Sequence, residues 1–154
     1  MEIEIVWGAG EGTTDLGAFD AALAHAGIHN YNLVRLSSVI PETATVVETG
    51  THDGRWAVGE LVGAVVADHN STTPGETVAA GLGWARASRG GVFFEATAAT
   101  GEEVERLVRA GVESGMQTRP TWDWEGGIET RVVEHTVEAG GAAVVAAVYG
   151  PVGR

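Results

Sequence analysis

The sequence predicts a mixed α/β domain in which β-prone runs alternate with capped helices. Two observations support this fold class. Apolar runs of strand length are separated by turn residues, and hydroxyl residues precede three segments as helix N-caps: Thr14, Thr73 and Thr100. The 154 residues suit one domain with a substantial core. We find no repeat, linker or second domain, and treat residues 1–154 as one unit.

The chain is strongly acidic, and this charge limits the kinds of molecule that it is expected to bind. The net charge is −12, from 21 acids and 9 bases, and every base is arginine. Such a surface disfavours nucleic acid and anionic membranes as partners. An acid-rich composition without lysine is typical of halophilic proteins, although coding bias or attraction of a cationic substrate would also explain it.

Residue types that are absent narrow the predictions further. The chain contains no cysteine, which excludes disulfides and thiol chemistry. The N-terminus lacks the apolar run of a signal peptide, and no stretch reaches transmembrane length. A cytoplasmic protein is therefore expected.

The first predicted elements are a strand over 2–7, a flexible turn over 8–12 and a helix over 15–26. Thr13 or Thr14 caps this helix and Gly27 ends it. Leu16, Phe19 and Leu23 form its predicted apolar stripe.

Asp20 falls on that stripe, four residues after Leu16. A carboxylate at this position either is buried with a partner, lines a cavity, or reaches solvent from the edge of the stripe.

The segment 32–41 is the most informative stretch of the chain. Its branched apolar residues predict a buried strand that ends at Pro41. Ser37 and Ser38 lie near its end, and two interpretations are open. Their hydroxyls either bond to nearby backbone, or the Ser38 hydroxyl attacks the preceding carbonyl and breaks the chain. The second requires a strained bond and donors for the oxyanion, among which Asn32 is a candidate.

The remaining elements alternate between strands and helices. Residues 49–56 and 69–72 read as surface loops, and the pair His52–Asp53 is too small for a metal site. Capping boxes begin helices at Thr73 and Thr100. The other predicted elements are strands over 42–47, 58–68, 91–97, 128–137 and 142–149, helices over 74–87 and 100–115, and a strand or loop edge around Trp122 and Trp124.

Glu95 lies within the predicted strand 91–97, with apolar neighbours on both sides. A salt-bridged acid is the ordinary explanation for such a residue. A partly buried carboxyl group that holds a proton near neutral pH is the other, and such a group is a proton donor.

Several ordered motifs resemble the pyruvoyl-dependent arginine decarboxylases from about Gly8 to Tyr149. The segment 32–41 is similar to the self-cleavage segment of that family. The other matching motifs are Glu11-Gly12, Ala18-Phe19-Asp20, Ala26-Gly27-Ile28, Pro74-Gly75-Glu76-Thr77, Glu95 and Glu134-His135-Thr136-Val137.

The resemblance implies a fold and an assembly. The fold would be an αββα sandwich, two stacked sheets between helical layers. The chain would cleave itself between Ser37 and Ser38 into chains 1–37 and 38–154, and the cleaved protomers would form a homotrimer with active sites between neighbours. The cofactor would be a covalent pyruvoyl group made from Ser38, with no metal.

The resemblance also implies a reaction and residue roles. L-Arginine would form a Schiff base with the pyruvoyl group, lose carbon dioxide and leave as agmatine, a polyamine precursor. Ser38, Glu95 and Asn32 would be catalytic, with Glu95 protonating the α-carbon. The substrate-binding residues would be Asp20, Leu16, Tyr31 and Ser37, with Asp20 receiving the guanidinium.

Two other functions remain open at this stage. A related enzyme would act on another amino acid; Asp20 favours a basic one but does not separate arginine from lysine or ornithine. A non-enzymatic relative would be an uncleaved trimer that binds a ligand or regulates a partner. His29 stands where the family resemblance leads us to expect glycine. Either the pocket nearby differs in shape, or His29 is an ordinary surface histidine, which is the commoner case.

Overall fold

A computed structural model describes residues 1–153 and contains two helices and two β-sheets. The helices are α1 (Asp15–Ala26) and α2 (Gly101–Gln117). The strands are β1 (Glu2–Glu11), β2 (Asn32–Arg35), β3 (Val39–Ile40), β4 (Thr45–Gly50), β5 (Leu61–Ser71), β6 (Thr77–Ala87), β7 (Gly90–Ala98), β8 (Trp124–Thr136) and β9 (Gly141–Pro151).

The strands form two stacked sheets. The five-stranded sheet has the order β2-β5-β9-β1-β4, and the four-stranded sheet has the order β3-β7-β6-β8. The core between them combines inward residues of both sheets, such as Ile5 and Val145 from the first and Leu82 and Phe93 from the second. α1 packs on the outer face of the five-stranded sheet, and α2 on that of the four-stranded sheet. The predicted αββα sandwich is confirmed.

The residues of β9 show why a strand in the middle of this fold is apolar at consecutive positions. Ala142, Val144 and Ala146 face α1, while Ala143 and Val145 face the second sheet. Side chains alternate across a strand, so a strand covered on both faces needs apolar residues at every position.

α1 follows its predicted bounds, and its predicted apolar stripe is confirmed at Phe19 and Leu23 but not at Leu16. The Thr14 side chain accepts a hydrogen bond from the Gly17 amide, and Gly27 ends the helix at φ 78°. Leu16, however, is 80% exposed, and small residues such as Ala18 and Ala22 occupy the buried face beside Leu23. Small residues are required because the helix lies directly on β1.

Gly10 of β1 shows how close the approach of α1 is. A Cβ added there would lie 2.5 Å from the Ala22 nitrogen. Asp20 is exposed and so does not lie on the buried face of α1.

The predicted helix over 74–87 is wrong, because these residues form a turn and then β6. Glu76 donates its amide to the Thr73 carbonyl, and Gly75 has φ 85°, as a Pro-Gly turn requires. Within β6, Leu82 faces the inner core, whereas Gly81 and Gly83 lie under α2.

The β6 glycines are needed for tight packing, as predicted, but beneath a helix rather than on one. A Cβ on Gly81 would lie 2.6 Å from Val104 Cγ1. Glycine therefore lets α2 approach the sheet closely, and the helix supplies valines that fill the space.

Other boundaries move by a few residues. β4 starts at Thr45 because Pro41–Ala44 forms a turn, closed by the Ala44 amide on the Pro41 carbonyl at 3.1 Å. The predicted loop over 69–72 mostly continues β5, which pairs with β9 as far as Ser71. α2 continues past Gly115 to Gln117, and β8 already begins at Trp124.

Glu11 and Glu134 hold the ends of elements in place. The Glu11 carboxylate accepts from the Ala139 and Glu138 amides and lies 2.5 Å from His135 Nε2. These contacts, the Ala139 amide foremost, lower the pKa of Glu11 to about 2. Glu134 accepts from the Gly101 amide at the start of α2. Both acids thus have structural contacts, the kind of role expected for Glu134 and His135.

Within residues 1–153, no helix is long and apolar enough to cross a membrane. The same residues contain no group of three or more His, Asp or Glu side chains placed to hold a metal ion.

Candidate active site

The segment 32–41 crosses from one sheet to the other rather than forming one buried strand. β2 pairs with β5 in the five-stranded sheet, and β3 pairs with β7 in the four-stranded sheet. Ser37 and Ser38 lie in the connection between the two strands. The predicted single strand is wrong because two short runs, each at a sheet edge, satisfy its backbone in different layers.

Ser38 has a strained backbone conformation. Its φ is 77°, and among residues 1–153 only Asp123 shares a positive φ without being glycine. A non-glycine residue in this region is disfavoured by about 1–3 kcal/mol and persists only where its surroundings enforce it.

Hydrogen bonds to both sheets hold the connection between β2 and β3, residues 36–38, which we call the crossing. The Ser38 carbonyl accepts from the Phe93 amide at 2.9 Å, and the Leu36 amide donates to the Ala64 carbonyl at 3.0 Å. The Tyr149 hydroxyl donates to the Val39 carbonyl at 2.6 Å. Burial of Tyr149 raises the pKa of its phenol well above the ordinary value, so the hydroxyl remains a donor. The sequence did not reveal this role for Tyr149, which lies 110 residues from Val39.

Glu95 of β7 reaches the strained serine from the opposite sheet. The Ser38 hydroxyl lies 3.3 Å from Glu95 Oε2 and donates to it. Glu95 is exposed in the single chain, so the partial burial expected from the sequence is not provided by this chain. Phe93, two residues earlier, faces the inter-sheet core, and Glu95 follows on the same face at its rim.

A pocket of about 370 Å³ opens at this rim. Ser37, Ser38 and Glu95 line it together with residues of α2 and of the segment after it, among them Thr118 and Arg119. The pocket thus combines a strained peptide, a carboxylate and a cation. Arg119 was not predicted; its only signal in the sequence is its position directly after a helix.

The other predicted site residues lie outside this pocket. The Asn32 side-chain amide donates to the Gly59 carbonyl at 2.9 Å, and the Tyr31 hydroxyl accepts from the Trp56 amide at 3.3 Å. Leu16 and Asp20 lie on α1, on the far side of the five-stranded sheet. A single chain therefore brings together Ser37, Ser38 and Glu95, but not the other predicted site residues, Asp20, Leu16, Tyr31 and Asn32.

A buried ionic cluster supports the loop over 51–60, whose Trp56 and Gly59 form the hydrogen bonds with Tyr31 and Asn32. Glu4 and His52 are 4% and 3% exposed, and His52 Nδ1 lies 3.0 Å from Glu4 Oε2. Arg55 Nη2 also donates to Glu4 Oε2, at 2.9 Å, and this bond is the main cause of the raised pKa of Arg55. Trp56 stacks on His52 with centroids 4.2 Å apart.

The expectation that residues 49–56 form a simple surface loop therefore fails at His52. Its side chain is buried because it pairs with Glu4, a residue of the first strand that sequence proximity does not reveal.

Comparison with known protein families matches residues 2–153 to the pyruvoyl-dependent arginine decarboxylase family. The chain belongs to this family. A pyruvoyl-dependent arginine decarboxylase of Halobacterium salinarum is 42% identical over 154 aligned residues, covering 96% of this chain and 93% of the relative.

Other pyruvoyl-dependent arginine decarboxylases extend the comparison. That of Thermococcus kodakarensis is 41% identical, covering 90% of this chain and 87% of the relative. That of Methanocaldococcus jannaschii is 37% identical, covering 94% and 87%. The resemblance drawn from the sequence motifs is thus confirmed.

Proposed function

We propose that this protein decarboxylates L-arginine to agmatine and carbon dioxide with a pyruvoyl group made from its own Ser38. The observation that carries the proposal is the strained Ser38, whose hydroxyl lies 3.3 Å from Glu95. Membership of the family and the relatives named as arginine decarboxylases support the substrate.

The first step is cleavage of the chain at Ser38. Its oxygen attacks the Ser37 carbonyl carbon, the C–N bond breaks, and the peptide becomes an ester. Loss of the Cα proton then expels the ester oxygen, leaving a carboxylate on Ser37 and dehydroalanine at position 38. Hydrolysis releases ammonia and leaves the pyruvoyl group. Strain at φ 77° raises the energy of the starting peptide and so favours its loss.

The residues at the crossing fit this group. The Phe93 amide holds the carbonyl of residue 38, and the Glu95 carboxyl lies beside the atom that is transformed. Once formed, the pyruvoyl group supplies a conjugated carbonyl that accepts the electrons left when carbon dioxide departs. Glu95 holds the proton that is delivered to the α-carbon of the substrate.

The proposed assembly is a homotrimer in which a neighbour completes each site. Asp20 and Leu16 are exposed on α1 and lie outside the pocket of their own chain. Apolar residues also remain exposed beside the crossing, Val34 at 37% and Val39 at 44%. In the proposed trimer, Asp20 pairs with the guanidinium of arginine, and the backbone near Leu16 and Tyr31 helps to hold the substrate.

Mass spectrometry of the purified, denatured protein tests the cleavage. Fragments of 37 and 117 residues (154 − 37 = 117) are expected, with pyruvate blocking the larger one. Ser38→Ala should stay intact and inactive because it has no nucleophile. A single full-length species after long incubation in concentrated salt would refute the proposal and favour an uncleaved relative.

Kinetics on fully cleaved variants test the roles. Glu95→Gln should lower kcat about 100-fold, the usual scale for loss of a general acid. Asp20→Asn should raise KM for arginine instead and weaken discrimination against uncharged amino acids. The matched control is Glu102→Gln on the exposed first turn of α2, which should keep the parent rate. A parent-like Glu95→Gln would mean that another group donates the proton.

A further inference from the structure

The segment after α2 places a guanidinium at the pocket that contains the cleavage site. Arg119 and Ser37 both line this pocket, and Arg119 is the cation among its lining residues. Thr118 is the C-cap of α2, so Arg119 follows the helix end directly.

Among residues 1–153, the hydrogen bonds of Arg119 use one of its three side-chain nitrogens. Nη1 donates to the Gly115 carbonyl and to Thr118 Oγ1, both at 3.0 Å. Among residues 1–153, no protein atom accepts from Nε or Nη2. The guanidinium also lies over the Trp122 ring, 5.4 Å from its centroid, which limits its freedom.

Cleavage creates a negative charge on Ser37, which lines this pocket. Before cleavage Ser37 is part of a neutral peptide; afterwards it carries a terminal carboxylate. In the intact chain the acid among the lining residues is Glu95, and a second carboxylate near it is electrostatically unfavourable without a cation.

We propose that Arg119 is a positioning residue that binds the carboxylate formed on Ser37, and so keeps the end of the small chain in the active site. This inference rests on the proposed self-cleavage. A partly fixed guanidinium with free donors suits a carboxylate, which accepts charge-assisted bonds from it.

The carboxylate of the substrate is a poorer partner for Arg119. Decarboxylation removes negative charge from that group, so an ion pair with it stabilises the ground state more than the transition state. The Ser37 carboxylate keeps its charge throughout turnover, and a permanent ion pair there does not oppose the reaction.

The test compares Arg119→Gln and Arg119→Lys with the parent, and Arg106→Gln is the matched control. Arg106 is an arginine within α2 that pairs with Glu103 at the surface. The pKa of the Ser37 carboxyl is measured by NMR on cleaved protein labelled with ¹³C at the serine carbonyls. Mass spectra first establish that each protein is cleaved.

We expect the Ser37 carboxyl pKa to rise by about one unit in Arg119→Gln, the lower end of the effect of a nearby opposite charge. Arg119→Lys should give a smaller rise because it keeps the charge without the planar fork, and Arg106→Gln should give none. In thermal melts, Arg119→Gln should lower Tm more in cleaved protein than in the uncleaved Ser38→Ala background.

Four results would overturn the inference. An unchanged Ser37 pKa, or an equal Tm loss in both backgrounds, would leave Arg119 as a helix cap alone. A raised KM with a parent-like Ser37 pKa would assign it to the substrate instead. Loss of cleavage in both Arg119 variants would assign it to the cleavage step. An uncleaved parent refutes the proposed function itself and is seen before any variant is made.

Discussion

Replacing Glu4 with glutamine should destabilise the protein strongly, because Glu4 neutralises a buried cluster. Its carboxylate receives Arg55 Nη2 at 2.9 Å and the Thr49 hydroxyl at 3.3 Å, and it lies 3.0 Å from His52 Nδ1. A glutamine can keep its oxygen toward Arg55 and His52 and turn its NH₂ group to the Thr49 hydroxyl, but it carries no charge. The variant thus removes the negative charge that compensates Arg55, at a site where the Glu4 side chain is 6% exposed and the His52 side chain is fully buried.

The magnitude follows from burial. Removing one partner of a buried pair costs about 3–5 kcal/mol. The Arg55 side chain is 46% exposed, so solvent compensates part of its loss. We therefore expect about 3 kcal/mol, and at about 3 °C for each kcal/mol in a chain of this size, a Tm decrease of roughly 9 °C.

The assay is a thermal melt by circular dichroism in the Ser38→Ala background, where chain cleavage cannot alter the transition. Glu48→Gln is the matched control, because Glu48 also pairs with an arginine, Arg131, but at 35% exposure. It should lose less than about 1 kcal/mol, as surface pairs do. A Glu4→Gln loss no larger than that of Glu48→Gln would refute the reasoning about burial.

Three further outcomes are expected. With a net charge of −12, Tm should rise as salt is added, and a flat or falling Tm across a salt series would refute the halophilic interpretation. Gly10→Ala should lower Tm by roughly 9 °C, about 3 kcal/mol, because its Cβ meets the α1 backbone, whereas Gly127→Ala has open space and should not; equal melts would contradict the packing argument. The pKa of Glu11 is lowered from 4.5 to about 2, so its stabilisation is complete above pH 4.5 and is lost as the pH falls towards 2. Tm measured from pH 6 to 2 should therefore fall less steeply in Glu11→Gln, and an unchanged slope would count against this contribution.

Local signals predicted the helices well where a cap and a stop were both present. Thr14 with Gly27 gave the bounds of α1, and Thr100 gave the start of α2. The same logic failed at Thr73, because the sequence Thr-Pro-Gly-Glu also forms a turn. Residues 77–87 form a strand because they pair with β7 and β8, and Gly81 and Gly83 let α2 lie close above them.

The candidate site was predictable to different extents. Ser37, Ser38 and Glu95 came from motifs, and the structure places them around one pocket. The strain at Ser38 was not predictable in detail, since it arises from the change of sheet within one short segment. Nor did any local pattern show that Arg119 lines the same pocket as Ser37, because its position depends on where α2 ends.

The position of β1 has a consequence for refolding. If the chain is cut between Ser37 and Ser38, the small fragment keeps β1, which lies inside the five-stranded sheet between β9 and β4. The two fragments then share one sheet, and they cannot separate without breaking the pairing of β1 with β9 and β4. After denaturation, the two fragments of the cleaved protein must associate before the sheet can form, so the refolding rate is second order in protein concentration. The intact precursor is a single chain, and its folding rate does not depend on concentration. Cleavage would thus leave the folded state intact but slow its recovery after denaturation at low protein concentration.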